Sequence, residues 1–119
     1  MRNMIRSFGC AIAGVSHALR SQRNMRIHCA AALLAVIMGW LAAISLYEWL
    51  ALVAIIAAVF VAELINTAIE AVVDLVVAEY HPLAKIAKDV AAGAVLIAAA
   101  ASIVIGIVIF LPKVGHLLQ

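Results

Sequence analysis

Glu63-Leu64-Ile65-Asn66-Thr67-Ala68-Ile69-Glu70-Ala71-Val72-Val73-Asp74 is the stretch on which the reading of this chain turns. Three carboxylates and an amide interrupt an otherwise apolar run. At about 100° per residue, Glu63, Asn66, Glu70 and Asp74 fall within about 80° of one another on a helix, whereas a strand would divide them between two faces. The stretch therefore reads as a helix that is apolar around most of its circumference and carries one polar stripe. Near a bilayer centre each charge costs roughly 2.5–3.5 kcal/mol on the insertion scale, so such a stripe needs something to compensate it.

The bilayer follows from composition. Of 119 residues, 69% are hydrophobic and 12% charged, against roughly 25% charged in a soluble domain. Too little polar surface exists to cover a water-facing globule, and the length suits one domain over residues 1–119. The expectation is an all-α integral membrane protein. Cys10 and Cys29 read as small apolar packing residues, with neither metal spacing nor a convincing disulfide pairing. No cleavable signal peptide is apparent: the first uncharged run, Ser7 to Leu19, is followed by arginines rather than a small-residue cleavage site.

Outward from the stripe, the second span runs over about residues 49–77, with Tyr47 and Trp49 at interfacial depth and Glu48 capping it. Before it, residues 27–47 make a first span of about 20 residues, uncharged apart from a proton that His28 can carry. Arg20, Arg23 and Arg26 anchor that span on anionic lipid, which accounts for the arginines better than for Gln22 and Asn24. Met4, Ile5, Phe8, Ala11, Ile12, Val15 and Leu19 share one face of a helix over about residues 3–20, with Arg2, Arg6, His17 and Arg20 opposite, the pattern of an amphipathic surface helix. Beyond the stripe, Glu79-Tyr80-His81-Pro82 breaks the helix, and a third span occupies about residues 83–112. Of eight lysines and arginines, only Lys113 lies away from the face shared by the N-terminus and the second loop. The positive-inside rule puts the N-terminus in the cytoplasm and the C-terminus outside.

The residues alone leave the chemistry open. A carboxylate stripe at membrane depth serves an ion or proton path, a helix-association site, or a catalytic site acting on something in the bilayer. Lys85 and Lys88 stand one turn apart near the arginines of residues 20–26. Bases beside carboxylates suit a metal-bound polyphosphate, in which carboxylates hold the cation and bases hold phosphate oxygens. Neither a Walker-type phosphate loop nor a kinase glycine loop is present.

The block Glu63–Asp74, followed by Glu79-Tyr80-His81 and Ala87-Lys88-Asp89, resembles the signature of the prokaryotic diacylglycerol kinase family. Arg23-Asn24-Met25-Arg26-Ile27-His28 is similar to its Gram-positive type branch, whose members phosphorylate undecaprenol. The resemblance runs from about Arg6 to Pro112. It implies a multi-pass kinase of the bacterial plasma membrane, with a surface helix and three transmembrane helices, assembled as a homotrimer with active sites between subunits at the cytoplasmic interface. It implies ATP as co-substrate, Mg2+ as cofactor and a membrane lipid alcohol as acceptor; nothing implies a nucleic-acid partner.

By position, the resemblance gives Glu63 the general-base role toward the lipid hydroxyl and makes Glu70 a magnesium ligand. Gln22 stands where better-known members place a second metal-binding glutamate, and offers a carbonyl oxygen without the charge. Gln22, Glu70, Glu79, Tyr80, His81, Lys88 and Asp89 match positions at ATP. Asn24, Arg26, Asn66 and Asp74 match positions that shape the lipid end of the site. Asn3 and Cys10 depart from the family's better-known branch and carry no role over. The branch favours undecaprenol as substrate; diacylglycerol, giving phosphatidic acid, is the alternative, and a small ion- or proton-conducting protein is the alternative outside enzymes.

Overall fold

The computed structural model describes residues 1–119 as four helices: α1 Arg2–Ser21, α2 Arg23–Leu41, α3 Leu46–Val76 and α4 Pro82–Leu117. The last three are long and apolar enough to cross a membrane. Only 11 of the 119 residues are buried, so lipid or neighbouring chains must cover most of the apolar side chains.

α1 and α2 meet at one extended residue, Gln22, which closes the first helix and opens the second. The elbow is fixed by Arg26, whose guanidinium donates to the carbonyls of Arg20 (2.9 Å) and Leu19 (3.4 Å) at the end of α1. Ala18 and Met25 are buried at this elbow. A cation there satisfies carbonyls that have no partner within the helix and complements the dipole.

α3 and α4 form an antiparallel hairpin and pack along their length, while α2 touches α3 more lightly. Pro82 opens α4, and His81 caps it, its Nδ1 accepting from the Leu83 N–H at 3.1 Å. At the other end of the hairpin Ile44, Leu52 and Ile109 form a small core, with Trp49, Ile105 and Phe110 against it. Lys113 Nζ donates to both Glu48 oxygens at 3.1 and 3.0 Å, tying the start of α3 to the end of α4.

The helix limits differ from those read in the sequence. α2 ends at Leu41 rather than near Tyr47, because Ala43 adopts a left-handed conformation (φ 50°) in the turn. α3 begins at Leu46 rather than Trp49. Ser45 is its N-cap, its hydroxyl accepting from the Glu48 N–H while Glu48 accepts from the Ser45 N–H, a reciprocal capping box. α4 does not stop at Pro112 but continues to Leu117. The proline removes one backbone donor, and the Lys113–Glu48 pair holds the turn that follows it.

Gly39 is where α2 meets the α3 start most closely. A Cβ there would lie 2.9 Å from Trp49 Cη2 and 3.0 Å from Ile44 Cδ1. Gly39→Val is expected to cost about 1–2 kcal/mol net of the better helix propensity of valine, read as a lower melting temperature in detergent.

Candidate functional site

The stripe on α3 descends from water into the interior of the protein. Asp74 is exposed, Glu70 half-buried, Asn66 5% exposed and Glu63 1% exposed. Over this distance, about 16 Å of helix rise, the polar groups change from solvated to enclosed. The main chain stays helical beneath them, with Thr67 Oγ1 donating to the Glu63 carbonyl at 2.9 Å.

Neither Glu63 oxygen has a hydrogen-bond partner. His28 on α2 faces this carboxylate, with Nε2 3.7 Å from Oε2. A buried carboxylate without donors is costly, which makes Glu63 a candidate functional group. Asn66 Nδ2 donates to Glu70 Oε1 at 3.5 Å, leaving Asn66 Oδ1 buried and unpartnered. Glu70 and Asn66 thus lie one turn apart on one helix face, each with an oxygen that no protein donor occupies fully. No three His, Cys, Asp or Glu side chains converge as metal ligands. Magnesium does not require such a cluster, since it keeps several waters and commonly uses one or two carboxylates plus substrate phosphates. An all-oxygen set with an orphaned amide oxygen fits that ion.

Toward the solvated end, Lys88 Nζ binds Asp74 Oδ1 at 2.6 Å, linking α4 to α3, and Lys85 pairs with Asp89 on the outer face of α4. Glu79 and Tyr80 are exposed in the linker between these helices. Gln22 is half-buried at the elbow and Asn24 is exposed just beyond it.

A groove of about 500 Å³ opens between α2, α3 and α4. Fifteen of its 18 lining residues are hydrophobic, and His28 is the only titratable one. Its walls include Ala35 and Met38 from α2, Val59 and Phe60 from α3, and Ile103 and Ile107 from α4. An apolar trough therefore shares His28 with the buried carboxylate.

The approach of His28 to Glu63 depends on how α2 packs against α3. A single histidine at the start of a span carries no register information about the helix beside it. The same holds for the Glu48–Lys113 pair, whose members lie 65 residues apart in the chain.

A family model for prokaryotic diacylglycerol kinase matches residues 9–110. The chain belongs to the prokaryotic diacylglycerol kinase family. The chain is 45% identical to the undecaprenol kinase of Bacillus subtilis over 113 residues, covering 95% of this chain and 92% of the relative. To the diacylglycerol kinase of Synechocystis it is 44% identical over 117 residues, 98% of this chain and 67% of that one. To the diacylglycerol kinase of Escherichia coli K12 it is 35% identical over 95 residues, 80% and 78%. This member of the family is a lipid kinase, which takes a nucleotide phosphoryl donor and a lipid acceptor in a membrane. The ion-conducting and assembly readings of the stripe are set aside.

Proposed function

We propose that this kinase transfers the γ-phosphate of ATP to the hydroxyl of undecaprenol at the cytoplasmic face of the bacterial plasma membrane. The observation that carries the site is Glu63, buried, unpartnered and beside the head of an apolar groove. The similarity to the Bacillus subtilis undecaprenol kinase supports the choice of lipid. The proposed arrangement is one kinase domain over residues 1–119, with α1 lying on the membrane surface, the N-terminus cytoplasmic and the C-terminus outside, assembled as a homotrimer. Exposed Met4, Ile5, Phe8 and Ile12 on α1 support the surface placement, since they find no partner within the chain.

In this reading the lipid enters sideways, its tail along the groove and its hydroxyl at Glu63. Glu63 accepts the hydroxyl proton as the oxygen attacks the γ-phosphorus. Lys88, with Glu79, Tyr80, His81 and Asp89 around it, receives the nucleotide at the solvated end, where lysine offsets phosphate charge. Glu70 would hold magnesium with the help of Gln22 and Asn66, and the ion would neutralise charge on the transferred group. Asn24, Arg26 and Asp74 frame the entrance; Arg26 does so by fixing the elbow and Asp74 by holding Lys88. Phosphoryl transfer needs mostly positioning and charge stabilisation, which four helices can supply.

Diacylglycerol is the second reading, supported by the name of the Synechocystis relative at nearly the same identity. Turnover with undecaprenol and with a diacylglycerol, at equal mole fraction in one detergent, separates the two. A kcat/KM at least about tenfold higher for undecaprenol, some 1.4 kcal/mol in the transition state, is expected; an equal or reversed ratio would assign diacylglycerol.

A further inference from the structure

We propose that His28 is a proton-relay residue: it takes from Glu63 the proton that Glu63 draws from the lipid hydroxyl and passes it out of the buried site. The inference rests on the base role of Glu63 proposed above and extends it to the step that resets the base.

Glu63 is 1% exposed and neither of its oxygens has a donor or acceptor within reach. A carboxylate so enclosed can accept a proton but has no direct contact with water through which to lose it. His28 Nε2 faces Oε2 at 3.7 Å, and the His28 side chain is 18% exposed against 1% for Glu63. The imidazole thus stands between the enclosed carboxylate and the groove it helps to line. No other titratable side chain lines the groove; the one polar side chain that α4 adds to it is Ser102, whose hydroxyl donates to the Ala99 carbonyl at 2.6 Å. Glu70, farther along the same face of α3, receives the Asn66 amide.

Imidazole has the chemistry for the task. It exchanges protons near neutral pH and has two nitrogens, so it accepts on one and releases from the other. The separation is longer than a hydrogen bond of about 2.6–3.2 Å, and catalytic hydrogen bonds commonly tighten to that length only with substrate bound.

The step balances. The lipid O–H bond breaks as the O–P bond forms, and the β,γ-bridging P–O bond breaks with its electron pair leaving on ADP. The proton passes from the lipid oxygen to Glu63, then to Nε2 of His28; the Nδ1 proton is released to water, and exchange of the ring protons with water restores the form that accepts on Nε2. No further reactant is needed.

The test compares wild-type kinase, His28→Ala, His28→Gln and Glu63→Gln in one detergent with one lipid alcohol, reading kcat, KM for ATP and the response to added imidazole. His28→Ala is expected to lose about 10- to 100-fold in kcat with KM for ATP unchanged, and to recover saturably with imidazole. His28→Gln, which fills the space without relaying a proton, is expected to stay slow. Wild-type kcat in either His28 variant, or a slow His28→Ala that imidazole does not restore, would overturn the relay. Should His28→Ala not assemble, His28→Gln decides alone: slow with unchanged KM supports the relay, and wild-type kcat removes it. An active Glu63→Gln would instead remove the base assignment itself, whereas an inactive Glu63→Gln beside an unrescued His28→Ala removes only the relay.

Discussion

Glu63→Gln is expected to lower kcat by about 10³-fold, the middle of the range for loss of a positioned general base, while KM for ATP changes little. The amide keeps the shape of the side chain but cannot accept the hydroxyl proton. Folding should not suffer. The carboxylate is buried without a hydrogen-bond donor, so exchanging it for a neutral group removes a desolvation cost rather than a favourable contact. A melting temperature equal to or above wild type is therefore expected alongside the loss of turnover. This combination separates a catalytic carboxylate from a structural one, because a residue conserving the packing would show the opposite: reduced stability and retained rate.

Glu70→Gln is expected to act differently. It removes the one carboxylate proposed at the metal, where Gln22 already supplies no charge. The expected result is a fall of about 100-fold in kcat/KM for ATP, comparable with the upper effect of perturbing a metal's surroundings, partly recovered by raising free magnesium. Glu63→Gln should show no such recovery. The converse variant, Gln22→Glu, adds a carboxylate at the α1–α2 elbow and is expected to lower the magnesium concentration needed for half-maximal turnover. Titrating magnesium against turnover for the three proteins checks both; indifference of Glu70→Gln to magnesium would remove the ligand assignment.

The polar stripe was legible because it depends on one helix alone. Helical geometry aligns Glu63, Asn66, Glu70 and Asp74, and the cost of burying polar groups in hydrocarbon marks them as candidates for a functional site. The number and order of the helices followed from apolar runs separated by arginines, by the turn at Glu48 and by Pro82. Their ends were less legible. Ala42 and Ala43 are not among the usual turn residues, yet Ala43 takes the left-handed conformation, so the end of the first span was read too far along the chain. Ser45 and Glu48 did hold the start signal of α3, a serine with glutamate three residues on, which places the helix ahead of Trp49. Pro112 reads as a stop, but the Glu48–Lys113 contact from across the hairpin holds α4 together beyond it.

Contacts between helices were the part that periodicity could not supply. Which side of α2 meets α3 depends on the elbow at Gln22 and on how Arg26 closes α1. That register, not the sequence around His28, brings His28 to within 3.7 Å of Glu63. The pairing of Lys88 with Asp74 across the α3–α4 hairpin is likewise set by the length of the linker and the capping of α4 by His81.

The most direct test is a structure of the kinase in lipid with a non-hydrolysable MgATP analogue and undecaprenol bound. The account predicts the lipid hydroxyl within about 3.2 Å of a Glu63 oxygen and in line with the γ-phosphorus, with the metal at Glu70. A γ-phosphate lodged away from α3, with Glu63 turned toward lipid tails, would contradict it.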